Sequence, residues 1–138
     1  MKLAVVGAGY WGENLVRVFH QLGVLYRICD FSPGRLQQLA EKYPDTKMDN
    51  SFEGILYDPA VDAVVIATPA ESHYDLARKS LLAGKDVYVE KPLTLRCEEA
   101  EMLIVLAEQQ SRILMVGHLL EVSSLRSRHS LRTRVLSI

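Results

Sequence analysis

The sequence lacks the features that mark several broad classes of protein. Its two cysteines, Cys29 and Cys97, stand far apart and outside any CxxC or metal-ligand spacing. No apolar run approaches the ~20 residues that span a bilayer, and Lys2 leads into a strand instead of a signal peptide. The formal net charge of −1 gives no reason to expect nucleic acid as a partner. We therefore expect a cytoplasmic protein with reduced thiols and without a metal site, a membrane segment or bound nucleic acid.

The composition is typical of one globular domain. Hydrophobic residues make up 49% of the chain and charged residues 24%, and 138 residues are enough to bury an adequate core. The charge is uneven, because residues 118–138 contain four arginines and one glutamate. We therefore divide the sequence into a domain over residues 1–117 and a basic tail over residues 118–138.

The most informative motif lies within the first thirty residues. Residues 2–6 are a short apolar run, the turn GAGYWG follows at once, and residues 14–22 carry apolar side chains at helical spacing. A G-x-G-x-x-G turn between a strand and a helix is typical of dinucleotide-binding domains. The alternative is a glycine turn in some other α/β protein.

Each glycine of this turn has a physical role in such a site. Gly7 would allow the tight turn, Gly9 would let a pyrophosphate approach the backbone, and Gly12 would let the helix pack closely. The phosphates would lie at the helix N-terminus, where free N–H groups and a partial positive charge favour anions. Tyr10 and Trp11 stand between the last two glycines and are included among the candidate cofactor-binding residues.

Asp30 predicts which dinucleotide binds. It ends the second predicted strand, where a carboxylate accepts hydrogen bonds from the adenosine ribose and repels a 2′-phosphate. No cation follows until Arg35, which falls in the next predicted helix. The sequence therefore favours NAD over NADP. The alternative is that Asp30 is only a polar residue at a strand end.

Strands and helices alternate along residues 1–117. The run at 61–67 is nearly continuous and β-branched, as expected of a parallel strand that is covered on both faces. Strands are predicted over residues 2–6, 24–29, 46–48, 61–67, 86–89 and 112–116. Helices are predicted over residues 14–22, 33–43, 71–83 and 94–110, with a brief helix after residues 50–51. This alternation predicts an α/β, Rossmann-type, doubly wound parallel sheet of about six strands in the order 3-2-1-4-5-6.

Polar residues follow the fourth and fifth predicted strands, where ligands bind in such sheets. A Thr-Pro pair with a histidine four residues beyond the proline follows the fourth strand, and a Glu-Lys-Pro triplet follows the fifth. Taken singly, the histidine could be a capping residue, the lysine a solvated side chain and the last proline a plain turn residue. The candidate site residues are Thr68, Pro69, His73, Glu90, Lys91 and Pro92.

Together these motifs resemble the Gfo/Idh/MocA oxidoreductases, the family of glucose–fructose oxidoreductase and inositol dehydrogenase. GAGYWGENLVR, TP-x3-H and AGKDVYVEKPL occur in the family's order and spacing, and the resemblance covers roughly residues 1–121. The wording of the first motif and GHLLE at 117–121 are most similar to the branch that acts on nucleotide-activated amino sugars, such as UDP-N-acetylglucosamine 3-dehydrogenases.

The resemblance implies an NAD-dependent dehydrogenase of a sugar or nucleotide sugar. Lys91 would lie beside the nicotinamide and hold the substrate hydroxyl while hydride passes to the cofactor. Glu90 and Pro92 would support and shape the turn that carries this lysine. The pair at 68–69 and His73 would line the ribose–nicotinamide side.

The sequence departs from the family pattern after GHLLE. Family members continue into a second α/β domain that binds the substrate and makes most subunit contacts, whereas residues 123–138 are rich in serine, arginine and leucine. We interpret this segment as a truncated or frameshifted end, with a terminal helix as the alternative. We therefore expect no activity from the chain alone, and self-association through residues 117–122 and the basic tail.

Three functional classes remain open at this point. The chain is a dehydrogenase domain that is incompetent alone, a non-catalytic NAD-binding module, or a half-enzyme that works with a separate substrate-binding chain.

Overall fold

Six parallel strands form one sheet in the part of the chain that the computed structural model describes, residues 1–117. The strands are β1 (Leu3–Val6), β2 (Leu25–Cys29), β3 (Lys47–Asp49), β4 (Ala63–Ile66), β5 (Asp86–Glu90) and β6 (Leu114–Gly117). The helices are α1 (Tyr10–Gln21), α2 (Pro33–Lys42), α3 (Phe52–Leu56), α4 (His73–Leu82) and α5 (Cys97–Gln109). The predicted basic tail, residues 118–138, lies outside the described residues.

The strand order is β3-β2-β1-β4-β5-β6, and every neighbouring pair is parallel. The predicted α/β class, strand number and order are therefore confirmed. The order reverses at β1, which pairs with β2 on one side and β4 on the other. The chain after β1 and the chain after β4 turn to opposite faces of such a sheet, so a crevice opens between them at the carboxyl edge.

Helices cover both faces of the sheet, which explains the near-continuous apolar strands. Val64 and Ile66 point into a core formed with α3, α4 and α5, whereas Val65 points into a core formed with α1 and α2. All three side chains are at most 2% exposed. Burial on both sides removes the polar alternation that a half-exposed strand would show.

The observed boundaries differ from the predicted ones by a few residues. Helix α1 begins at Tyr10 instead of residue 14, because Gly9 is its N-cap and the Gly9 carbonyl accepts a bond from the Glu13 N–H at 2.8 Å. The helix predicted over 71–83 is a 3-10 turn (Ala70–Ser72) followed by α4. Helix α5 and strands β4 and β6 begin two or three residues later than predicted. The earlier start of α1 brings its free N–H groups up to the glycine turn.

Candidate functional site

A cavity of about 790 Å³ opens at the carboxyl ends of β1, β2 and β4. Its volume lies within the range of about 300–1,000 Å³ that is usual for cofactor and ligand sites. The cavity lies in the crevice where the strand order reverses, the position at which doubly wound sheets bind ligands. Of the predicted site residues, it brings together Gly7, Gly9, Tyr10, Trp11, Asp30, Thr68 and Pro69.

The glycine turn has room for a side chain at Gly9 but not at Gly7 or Gly12. Gly7 has φ +85°, and a Cβ there would lie 2.8 Å from the carbonyl group of Ala67. A Cβ at Gly12 would overlap the carbonyl oxygen of Gly7, so α1 packs directly on the turn. A Cβ at Gly9 would meet only the Arg35 guanidinium, 3.9 Å away. The Gly9 backbone is therefore bare toward the cavity.

The N-terminus of α1 lies at this bare backbone. Its N-cap, Gly9, has no side chain to satisfy the first N–H groups of the helix. Unsatisfied N–H groups and the helix dipole make such an end an anion site. Tyr10 and Trp11 occupy the first turn, 82% and 60% exposed, with their rings edge to face at 5.6 Å. This end of the cavity fits a diphosphate group with two aromatic side chains beside it.

Asp30 fastens the glycine turn to the end of β2. Its Oδ2 accepts a hydrogen bond from the Ala8 N–H at 2.8 Å, and its Oδ1 accepts one from the Ser32 N–H at 2.9 Å. Arg35 Nη1 lies 3.5 Å from the same Oδ2. The sequence placed Arg35 in the next helix, which is correct, but the first turn of α2 brings its guanidinium back into the cavity.

His73 lies behind the cavity and joins two strand ends. It is 1% exposed, with Nδ1 2.7 Å from the Pro92 carbonyl oxygen and Nε2 2.8 Å from the Thr68 carbonyl oxygen. Thr68 and Ser72 share a hydroxyl–hydroxyl bond of 2.6 Å in the same turn. The imidazole therefore holds the turn after β4 against the turn after β5, and it does not line the cavity.

The Glu-Lys-Pro triplet begins at Glu90, the last residue of β5, beside the carboxyl end of β4. Lys91 and Pro92 are exposed, and the peptide bond between them is cis. Glu90 Oε1 accepts a hydrogen bond from the Tyr88 hydroxyl at 3.0 Å. None of the three lines the 790 Å³ cavity, so the structure places them next to it, at the neighbouring strand end.

Sequence reasoning missed the role of Tyr88. Burial, and then its hydrogen bond to Glu90 and the charge of that carboxylate, raise the pKa of Tyr88 to about 12. The phenol therefore stays a donor at neutral pH. A Cβ at Gly117 would lie 2.9 Å from the ring carbon that carries this hydroxyl, so the glycine at the end of β6 makes room for it. The available signal was the Y-x-E spacing, which puts both side chains on one face of a strand.

A second cavity, of about 520 Å³, lies between α4 and α5, and none of the predicted site residues lines it. Its walls include Tyr74, Met102 and Leu106. Within residues 1–117, no group of three metal-ligating side chains is close enough to hold a metal ion. No helix in this part of the chain is long and apolar enough to cross a membrane.

Fold and site together define a dinucleotide-binding domain of the Rossmann type. A family model described as "oxidoreductase family, NAD-binding Rossmann fold" (GFO_IDH_MocA) matches residues 1–118. The chain belongs to this Gfo/Idh/MocA family of oxidoreductases, which confirms the resemblance found in the sequence.

Individual relatives show the range within the family. The chain is 34% identical over 122 residues to the scyllo-inositol 2-dehydrogenase (NADP(+)) IolW of Bacillus subtilis, covering 86% of this chain and 33% of the relative. It is 30% identical over 122 residues to the UDP-N-acetylglucosamine 3-dehydrogenase of Acidithiobacillus ferrooxidans, covering 88% and 38%. The crystal structure of the Bordetella pertussis WlbA dehydrogenase with NADH and UDP-GlcNAcA matches at TM-score 0.77 and 28% identity, covering 83% and 36%. The chain spans about a third of the length of its relatives.

Proposed function

We propose that this chain binds NAD in the 790 Å³ cavity and forms the cofactor half of a sugar or nucleotide-sugar dehydrogenase. The observation that carries the proposal is the bare Gly9 backbone at the uncapped start of α1, facing that cavity. The diphosphate would lie there, because within residues 1–117 the N–H groups at the start of the first turn have no hydrogen-bond acceptor. The Asp30 carboxylate lines the cavity, and its oxygens would accept hydrogen bonds from the adenosine ribose hydroxyls.

The nicotinamide half would lie toward β4 and β5. Thr68 and Pro69, which follow β4, line the cavity there. His73 supports it from behind by holding the turns after the two strands in register. This arrangement favours a cofactor whose reactive ring points toward the exposed Glu-Lys-Pro triplet.

Lys91 is the proposed catalytic residue of this half. The bound cofactor would accept a hydride from the carbon of a substrate alcohol. Lys91 would lie within hydrogen-bonding distance of the hydroxyl of that alcohol and help to move the hydroxyl proton away as the hydride leaves. Glu90, held by Tyr88, and Pro92 would fix the turn that carries the lysine.

Relatives suggest the substrate class. They are named as dehydrogenases of inositols and of UDP-N-acetylglucosamine, so polyhydroxylated rings, free or nucleotide-linked, are the substrates to test first. The compartment proposed from the sequence is the cytoplasm. Residues 1–117 would be the dinucleotide-binding domain and residues 118–138 an atypical tail. The chain would form a homo-oligomer through residues 117–122 and the basic tail.

The first experiment is a titration of the 138-residue chain with NAD, in which binding is monitored through the fluorescence of Trp11, the single tryptophan. Trp11 lies in the cavity, so we expect a saturable change in its emission, and calorimetry should give the same affinity. Asp30→Ala should weaken NAD binding and narrow the difference between NAD and NADP, because the repelling charge has gone. Tighter binding of NADP than of NAD by the unmodified chain would contradict the role of Asp30.

The second experiment tests catalysis with scyllo-inositol and UDP-N-acetylglucosamine as substrates. Hydride transfer needs the reacting carbon held about 3–3.5 Å from the nicotinamide. Residues 1–117 would supply the cofactor cavity and Lys91, and by resemblance to the family the substrate would be held by a second domain. We therefore expect NAD binding without turnover from this chain alone, and light scattering should show an assembly larger than the monomer. Single-turnover NAD reduction by the chain alone, or a stable monomer at high concentration, would contradict these two expectations.

A further inference from the structure

The second cavity, between α4 and α5, combines exposed apolar side chains with acidic ones. Met102 and Val105 line it and are 57% and 50% exposed, although α5 buries its other side in the core of the sheet. Glu98 and Glu101 line the cavity from the first two turns of α5, and within residues 1–117 neither carboxylate forms an ion pair. Arg78 lines the α4 side, so the acidic side is α5. Exposed apolar surface with a charged rim is typical of a site that binds another polypeptide segment.

The basic tail has the complementary composition. Residues 118–138 contain four arginines and one glutamate, and leucine, valine and isoleucine together make up eight of these residues. Helix α5 contains four glutamates and neither lysine nor arginine. Complementary charges of this kind select a partner and fix its orientation. The tail therefore offers apolar side chains for the exposed surface of α5 and cations for its carboxylates.

The tail begins at the edge of the sheet toward which the acidic end of the cavity lies. Gly117, at the end of β6, pairs with Glu90 at the carboxyl edge. Helix α5 connects the carboxyl end of β5 to the amino end of β6, so its first turn, with Glu98, lies toward the same edge. The 21 residues of the tail can extend to about 70 Å, whereas Glu98 and Gln109, at the two ends of the cavity, are about 17 Å apart along the helix. The tail is therefore long enough to run along the whole cavity.

We propose that the second cavity is the binding site for the basic tail of this protein, residues 118–138. The apolar side chains of the tail cover Met102 and Val105, and its arginines pair with Glu98 and Glu101. Burial of the apolar side chains supplies most of the affinity, because exposed ion pairs are weak and are screened by salt. The same contact, exchanged between two copies, would account for the proposed self-association. The inference does not depend on NAD, because none of the candidate cofactor-binding residues lines this cavity.

The test measures paramagnetic broadening of the tail amides by NMR in the ¹⁵N-labelled, 138-residue chain. Cys97, the first residue of α5, is exposed, whereas Cys29 is buried, so a thiol-reactive nitroxide should label Cys97. We expect this label to broaden the amide signals of residues 126–134, and reduction of the nitroxide should restore them. The matched control combines Cys97→Ser with Gly34→Cys, which moves the label to α2 on the opposite face of the sheet. From that position the same signals should stay sharp.

Charge variants test the recognition of α5 by the tail. In the chain labelled at Cys97, Glu98→Gln combined with Glu101→Gln should reduce the broadening of the tail amides by about half or more. Raising the ionic strength to about 1 M should have a similar effect, because the Debye length then falls to about 3 Å. Glu41→Gln combined with Asp45→Asn is the matched control, since it removes two charges from exposed positions at the end of α2 and beyond it. This control should leave the broadening unchanged.

A mixture of ¹⁵N-labelled chain with spin-labelled chain that lacks ¹⁵N shows whether the contact is exchanged between copies. Broadened tail amides in the mixture would support the inference and the proposed homo-oligomer together. Broadening only within one chain would support the inference and remove tail exchange as the cause of self-association. Sharp tail amides in the chain labelled at Cys97, equal broadening from both label positions, or equal effects of the two pairs of charge variants would overturn the inference. Failure of NAD to bind would contradict the proposed function and leave this inference standing.

Discussion

Alanine variants of Gly9 and Gly12, with Gly34→Ala as a control, distinguish the glycine that is needed for NAD binding from the one that is needed for stability. Gly9 has ordinary extended backbone angles, φ −65° and ψ −166°, and among residues 1–117 the nearest neighbour of a Cβ there would be the Arg35 guanidinium, at 3.9 Å. We therefore expect Gly9→Ala to change the free energy of unfolding by less than about 0.5 kcal/mol, as is usual for unstrained surface positions. The new methyl group nevertheless fills the point at which a diphosphate would approach the backbone. NAD affinity should fall about tenfold or more, equivalent to about 1.4 kcal/mol.

The opposite pattern is expected one turn further on. In Gly12→Ala the methyl group would overlap the carbonyl oxygen of Gly7, which is backbone and cannot turn away. Such overpacking costs about 1–3 kcal/mol, so this variant should unfold at lower urea concentration and lower temperature. Gly34→Ala is the matched control, because no atom in the described part of the chain lies within 4 Å of a Cβ at Gly34. It should change neither stability nor binding appreciably.

Stability is measured by urea unfolding with circular dichroism as the signal, and NAD binding is measured by titration with Trp11 fluorescence as the signal. The reasoning would be refuted if Gly9→Ala bound NAD as tightly as the unmodified chain. It would also be refuted if Gly9→Ala and Gly12→Ala lost stability equally, since the two positions would then not differ in the room they leave for a methyl group.

Two further predictions concern the chemistry of single side chains. Burial and nearby carboxylates raise the pKa of Cys29 to about 12, whereas Cys97 is exposed, so dithionitrobenzoate should modify Cys97 in the folded chain and Cys29 only on unfolding; rapid modification of both thiols would contradict this. The Ala60 N–H and Arg27 lower the pKa of Asp58, so Asp58 contributes stability that is present above its unfolded pKa, near 4, and lost as the pH falls through its folded value. The stability deficit of Asp58→Asn in urea unfolding should therefore shrink below about pH 4, and a deficit that stays constant down to pH 3 would disprove this.

The architecture could be predicted because it depends on patterns that extend over many residues. Runs such as residues 61–67 must be buried on both faces, and the intervening helices then leave few possible strand orders. Helix starts were less predictable, since they depend on single backbone bonds. The predicted start of α1 was wrong by four residues because apolar spacing begins at residue 14, whereas the Gly9 carbonyl already closes the first helical turn.

The contacts within the site could not be predicted, because they join residues that are distant in sequence. The structure brings several of the candidate residues together in one cavity at the carboxyl edge of the sheet, as the sequence predicts. That His73 lies between the carbonyl groups of residues 68 and 92, and not in the cavity, depends on the packing of α4 against two turns. The sequence predicts Arg35 in the helix after Asp30, and the structure adds that its long side chain turns back to 3.5 Å from the Asp30 carboxylate.

The most direct test of the central claim is to map NAD binding by NMR on the ¹⁵N-labelled chain. The account predicts that the largest amide shifts fall within residues 8–12, on Ser32 and on Thr68. Residues 9–11 and Thr68 line the cavity, and the N–H groups of Ala8 and Ser32 bind Asp30, which also lines it. The amides of residues that line the second cavity, between α4 and α5, such as Tyr74, Met102 and Leu106, should shift little. Largest shifts in that second cavity, with residues 8–12 unchanged, would contradict the assignment of this edge of the sheet as the dinucleotide site.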